Sequence, residues 1–158
     1  MHSTASPRAI DLNENVRSIL AQKSHVVWSI SPETTVYDAI TIMSEKHIGA
    51  LVVLSAGRLV GIITERDYAR KVILKGRQSR ETRVREIMSE PVLFVTPDQT
   101  IGKCMYVMAS RQIRHLPVLE ADRVIGIISM GDLVNWIITV QDDTIRHLHN
   151  YITGSYPG

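Results

Sequence analysis

The chain has 158 residues, a net charge of +2, 44% hydrophobic residues and 5% aromatic residues. That length allows one compact domain or two small ones, with apolar content enough for a core. The absence of any apolar run of about 18 residues argues against a membrane span, and the dispersed basic residues and scarce aromatics argue against nucleic-acid binding.

Residues 1–12 carry Ser, Thr, Pro and His with little hydrophobic pattern. They read as a flexible leader without a signal-peptide core. Asn13 to Ala21 places Val16, Ile19 and Leu20 at helical spacing. His25 to Ile30 reads as a strand, Ser31-Pro32 as a turn, and Thr34 or Thr35 as the cap of a helix to about Lys46. Val36, Ala39, Ile40 and Met43 form the buried face of that helix. Ala50 to Leu54 is apolar enough for a fully buried strand, and Ala56-Gly57 turns it into Leu59 to Ile63. Thr64 caps a helix to about Leu74, and the polar stretch after it, taken as 77–82, links to a second half. There Val84–Met88, Val92–Val95, Thr100–Arg111, His115–Leu119 and Val124–Ile128 read as helix, strand, helix, strand, strand. A last helix starts near Ser129 and continues past Val140 through Ile145, Leu148 and Ile152, until Gly154 and Pro157 stop it.

The two halves repeat. Gly61-Ile62-Ile63-Thr64-Glu65-Arg66-Asp67 returns 65 residues later as Gly126-Ile127-Ile128-Ser129-Met130-Gly131-Asp132. The same offset pairs Pro32 with Pro97, Met43 with Met108, Leu51 with Leu116 and Arg58 with Arg123. Two copies are too few for a solenoid and suit a pseudo-twofold pair. The boundaries are 13–76 and 83–140 for the repeats, and 141–158 for a C-terminal helix and tail.

In each copy a β-branched strand runs into a hydroxyl N-cap, with Asp in the first helical turn. Free N–H groups at such a helix start suit an anion or a sugar. An ionised Asp67 or Asp132 accepts two hydrogen bonds, which matches a ribose diol; the competing role is a charge that merely stabilises the helix dipole. Thr64 and Ser129 cap in either case. The cations are unequal: Arg114-His115 stand where the first copy has Gly49-Ala50, and Arg66 stands where the second has Gly131. Arg70 and Lys71 follow one turn later. Such cations suit a phosphate, and Gly49 suits close backbone approach.

Met43, Met105, Met108 and Cys104 fall at helical core positions. His147 and His149 have the wrong spacing for one helix face, so no metal site is expected. No nucleophile–base constellation, paired carboxylate set or Walker loop appears. The single Cys104 excludes an internal disulfide and accords with a reducing compartment, so the expected location is cytoplasmic.

The Ser-Pro or Thr-Pro start, the amphipathic helix, the strand around Leu116-Pro117-Val118 and the Gly-Ile-Ile-(Thr/Ser)-x-x-Asp ending resemble the cystathionine-β-synthase (CBS) domain. Over roughly residues 14–140 the chain resembles a tandem CBS pair, or Bateman module, of the stand-alone type. The resemblance implies an α/β (α+β) fold of two β-α-β-β-α repeats, packed as a pseudo-twofold pair within a disc-shaped homodimer. It implies an adenosyl ligand in the cleft between repeats: AMP foremost, with ADP, ATP, NAD or S-adenosylmethionine as alternatives. The positions it marks are Thr64, Arg66, Asp67, Arg70, Gly49 and Ala50 in the first copy, and Arg114, His115, Ser129 and Asp132 in the second. No catalytic residue is implied. The output would go to a separately encoded partner enzyme, a redox protein among the candidates. Val36, Ile40 and Val107 are candidates for the dimer face. The alternative is a small nucleotide-processing enzyme, for which His115 is the one histidine near the motifs, and it lacks an orienting carboxylate nearby in sequence.

Overall fold

In the computed structural model, which describes residues 12–23 and 26–139, the elements follow in order. They are α1 (Val16–Gln22), β1 (Ser29–Ile30), α2 (Val36–Lys46), β2 (Ala50–Ser55), β3 (Arg58–Thr64), α3 (Glu65–Tyr68), α4 (Val84–Ile87), α5 (Ile101–Arg111), β4 (His115–Glu120) and β5 (Arg123–Ser129). Residues 130–139 form a further helix, α6. The expectations for residues 1–11, for the helix past Val140, for His147 and His149 and for the Gly154 and Pro157 stop lie outside the described residues.

The caps set where the long helices begin. Thr35 accepts the N–H of Asp38 at 3.2 Å and Thr100 that of Lys103 at 3.1 Å, each satisfying one orphan donor of α2 or α5. Both helices stop on a left-handed residue, His47 and Gln112, each with φ of 55°. The next N–H turns back to Met43 O or Met108 O at 3.0 Å. The hairpin turns match as well. Ala56 and Gly57 (φ 52° and 77°) join β2 to β3, and Ala121 and Asp122 (φ 51° and 62°) join β4 to β5. Two positive φ values are what a two-residue hairpin of mirror-image type requires.

The described residues fall into two compact units that interleave in sequence. Residues 12–23, 97–116 and 128–139 belong to one, and 26–96 with 117–127 to the other. In the second, β1 runs parallel to β2 (Ser29↔Val52, Ile30↔Val53) and β2 antiparallel to β3, from Ala50↔Thr64 to Ser55↔Arg58. Its core is Ile30, Val36, Ala39, Met43, Leu51, Val53, Ile63, Val72, Val84 and Ile87. Each large aliphatic among them contributes about 1.5–3 kcal/mol by leaving water. In the first unit Val16, Ile19, Ile101, Cys104, Met108, Leu116, Ile128 and Leu133 are buried.

The interleaving follows from the short leading helices. In the first unit Val16 N–H bonds Gln99 O at 2.9 Å and Arg17 N–H bonds Pro97 O at 3.0 Å. In the second, Val84 N–H bonds Thr34 O at 2.8 Å and Arg85 N–H bonds Pro32 O at 2.9 Å. Each leading helix therefore has its first donors satisfied by the proline turn of the other repeat.

Several expectations are corrected. The first strand is two residues long, not six; Val26 and Trp28 are exposed, and the Trp28 ring lies under the Lys46 ammonium. No strand forms over Val92–Val95. One parallel bridge remains, with Val95 N–H to Pro117 O at 3.0 Å and Leu119 N–H to Val95 O at 2.9 Å. The next rung would need an N–H on Pro117 for Leu93 O, and proline has none. Its counterpart in the first repeat is Val52, where the ladder does extend. After α3 the chain adds a π-helical turn, Ala69–Ile73, closed by Leu74 N–H to Ala69 O at 3.0 Å. Val36 is fully buried in its own unit, so it is core and not a dimer face.

Candidate functional site

The two Gly-Ile-Ile motifs end in matching local structures, one in each unit. In the second unit, β3 delivers Thr64 in extended conformation and α3 begins at Glu65. Asp67 N–H donates to Thr64 Oγ1 at 3.1 Å, and Thr64 N–H donates to Asp67 Oδ2 at 3.0 Å, a reciprocal capping box. The Thr64 hydroxyl also reaches Asp67 Oδ2 at 3.1 Å. In the first unit Asp132 N–H donates to Ser129 Oγ at 3.0 Å and Ser129 N–H donates to Asp132 Oδ2 at 2.7 Å. The residue just before the first strand of each hairpin is tied to the helix start in the same way. Glu65 N–H bonds Gly49 O at 3.1 Å, and Met130 N–H bonds Arg114 O at 2.8 Å.

Gly49 and the buried Ala50, which pairs with Thr64, thus lie beside the α3 start. Arg114 and His115 lie beside the α6 start, Arg114 exposed and His115 half-buried. Arg66 is half-buried on α3, and Arg70 points outward from the π-helical turn. Gly61 has a packing reason. A Cβ there would sit 2.5 Å from the Met88 sulfur, so the glycine makes room for the residue after α4. Gly131 has no such neighbour, its nearest contact being Ser129 Oγ at 3.5 Å.

Three further side chains reach the motif carboxylates. Ser89 Oγ donates to Asp67 Oδ1 at 3.1 Å. Lys71 Nζ lies 3.1 Å from the same oxygen and also donates to Ile87 O at 2.9 Å. Lys23 Nζ lies 2.7 Å from Asp132 Oδ2. Ser89 and Lys23 leave the leading helices far from the carboxylates in sequence, so periodicity alone could not pair them. Lys71, four residues from Asp67, was legible as an i,i+4 partner. Elsewhere, burial raises the Cys104 thiol from 9.0 to about 11, as an inert core cysteine requires. Among the described residues no group of His, Cys, Asp and Glu could hold a metal ion, and no helix is long and apolar enough to cross a membrane.

The CBS domain family model matches residues 16–73 and 84–139. The chain belongs to the CBS domain family. It carries two CBS repeats, in the mixed helix-and-strand architecture of CBS-pair proteins. It is 41% identical over 135 residues to the mitochondrial CBS domain-containing protein CBSX3 of Arabidopsis thaliana. That match spans 82% of this chain and 65% of the Arabidopsis protein, so this chain corresponds to under two thirds of that relative. A putative signal-transduction protein with CBS domains from Burkholderia ambifaria superimposes with a TM-score of 0.78 and 46% identity, covering 80% of this chain and 95% of that one. The CBS domain pair of MJ0100, solved in complex with 5′-methylthioadenosine and S-adenosyl-L-methionine, superimposes with a TM-score of 0.69 and 26% identity. The coverage there is 77% of this chain and 94% of that one.

Proposed function

We propose that this CBS pair is a regulatory sensor that binds an adenosyl nucleotide and passes its occupancy to a separate protein. AMP is the favoured ligand, with ADP, ATP and NAD as alternatives. The observation that carries the reading is the duplicated strand end. A hydroxyl cap and a first-turn carboxylate stand next to the backbone at the start of the neighbouring strand, in a fold whose MJ0100 relative was solved with two adenosyl compounds. The carboxylate would take the 2′- and 3′-hydroxyls of the ribose. Thr64 or Ser129 would face ribose or phosphate. Gly49-Ala50 backbone in one repeat would read the adenine edge, and Arg66, Arg70, Arg114 and His115 would meet phosphate.

Binding can shift the protein between arrangements only by the ligand's differential affinity for them. The output would then be a change of shape or assembly read by a partner enzyme, a redox protein among the candidates, in the cytoplasm. We place the protein as a homodimer with an isologous interface. Half-buried Ile40 and Ile42 on α2 recur as Met105 and Val107 on α5, and they are the apolar residues such a face would use.

Titration calorimetry with AMP, beside a 2′,3′-dideoxy analogue, tests the ribose reading. Losing hydrogen bonds to a charged acceptor costs about 1.5–3 kcal/mol, so the analogue should bind roughly one to two orders of magnitude more weakly. Equal affinities would reject the carboxylate–diol assignment.

A further inference from the structure

The two motif aspartates are not in the same condition. A carboxylate offers about four lone-pair positions. At Asp67 the chain itself fills them. Thr64 N–H and the Thr64 hydroxyl are on Oδ2, and the Ser89 hydroxyl and the Lys71 ammonium are on Oδ1, all at 3.0 to 3.1 Å. The side chain is 9% exposed. Its partners are themselves anchored. Ser89 pairs with Ile62 through two backbone bonds of 2.9 and 3.3 Å, and Lys71 holds Ile87 O, the last carbonyl of α4. Asp67 thereby ties the residues after α4 to β3 and α3.

Asp132 is used less fully. Ser129 N–H and the Lys23 ammonium both sit on Oδ2 at 2.7 Å. Among the described residues none donates to Oδ1, and the side chain is 21% exposed. Lys23, the ammonium on Oδ2, is itself 36% exposed and extends from the C-cap of α1.

Building on the adenosyl reading and narrowing its two candidate subsites to one, we infer that Asp67 is an internal latch whose acceptor capacity the chain consumes, and that the nucleotide loads at Asp132 alone, leaving the subsite beside Asp67 unused. A diol at Asp67 would have to unseat both Ser89 and Lys71 and loosen the α4 exit. A diol at Asp132 meets an oxygen to which no described residue donates, and would displace the Lys23 ammonium from Oδ2. The family motif is thus duplicated while its ligand-binding use is not.

The test combines melting without ligand and calorimetry with AMP on the full chain. Wild type should bind about one AMP per chain. Asp132→Ala should lower affinity by roughly 10–100-fold and, by losing only its cap bond and one ion pair, lower the melting temperature less than Asp67→Ala does. Asp67→Ala should lower the melting temperature by several degrees and leave AMP affinity within about threefold. If Asp67→Ala does not fold, the pair Ser89→Ala and Lys71→Met keeps the carboxylate and frees Oδ1. It should gain a second, weaker AMP equivalent. Two equivalents in wild type, or loss of AMP binding in Asp67→Ala without loss of melting temperature, overturns the inference. Equal melting of the two alanine variants overturns the latch whatever binds. A low-melting Asp67→Ala, in a protein that binds none of AMP, ADP, ATP or NAD, retains the latch and rejects the loading site together with the adenosyl reading.

Discussion

Gly61 opens the motif, and its replacement by alanine tests why it is glycine. The added Cβ would meet Met88 Sδ at 2.5 Å, Cγ at 2.9 Å and Cβ at 3.2 Å. Carbon contacts are comfortable at about 3.5–4.0 Å, so the overlap is close to 1 Å. The thioether end could rotate away, but the Met88 Cβ could not. The adjoining backbone is held by Ser89 N–H to Ile62 O at 2.9 Å and Ile62 N–H to Ser89 O at 3.3 Å. Overpacking of this kind costs about 1–3 kcal/mol. For a chain of this size each kcal/mol moves the melting temperature by about 2–4 °C. Met88→Ala removes the obstacle and by itself loses part of a half-buried side chain, less than the 2–5 kcal/mol of a fully buried methionine. Urea titrations of wild type, both single variants and the double should therefore give a double variant more stable than the sum of the singles, by at least about 1 kcal/mol. Additivity within about 0.5 kcal/mol would refute the packing explanation. Gly131→Ala is the internal control. Its nearest neighbour is Ser129 Oγ at an ordinary 3.5 Å, and alanine outranks glycine in a helix by up to about 1 kcal/mol. The same glycine-to-alanine change should therefore be destabilising at Gly61, which packs on Met88, and neutral to stabilising at Gly131, which does not.

Two further outcomes follow from burial. The Cys104 thiol, raised to about 11 against 9.0 for an ordinary cysteine, should resist maleimide in the native protein. The unfolded chain ionises first as pH rises past 9.0, so stability should fall from there upward, and Cys104→Ala should flatten that slope in melts taken over about pH 8–10. Light scattering at micromolar concentration should give a dimer mass, and Ile40→Asp with Val107→Asp should shift it to monomer. A monomer in wild type removes the proposed face.

The repeat, the caps and the two hairpins were legible because each rests on local chemistry. A hydroxyl before a periodic apolar run, a left-handed turn pair and a β-branched run need no knowledge of distant residues. The strand over Val92–Val95 was misjudged for a non-local reason. Its own propensity is adequate, but the proline that empties the ladder is Pro117, in the strand it would have paired with. Val36 was misjudged because one apolar stripe on α2 does not say which part of it faces the core of its own unit. At the site, the carboxylates and caps were legible as a repeated motif, whereas Ser89 and Lys23 come from the leading helices and meet the carboxylates only through the fold.

Those leading helices also explain why the copies differ. Most of the chain repeats at 65 residues, but Val16 and Arg17 make the bonds that Val84 and Arg85 make, an offset of 68. The three extra residues of the first copy lie in the leading helix itself: α1 has seven residues and α4 has four. Three residues add about 4.5 Å and most of a turn. The C-cap of α1, Lys23, therefore stands further from its first donors than the C-cap of α4, Met88. Serine comes off the shorter helix and pairs with β3 beside Asp67, where a short hydroxyl fits a sealed carboxylate. Lysine comes off the longer one at its C-cap and reaches Asp132 by its stem. The serine is a short side chain fixed by two backbone bonds, and the lysine is a long one that meets its carboxylate with its ammonium. The leading helices thus bring unlike partners, an anchored hydroxyl and an ammonium, to the carboxylates of one repeated motif.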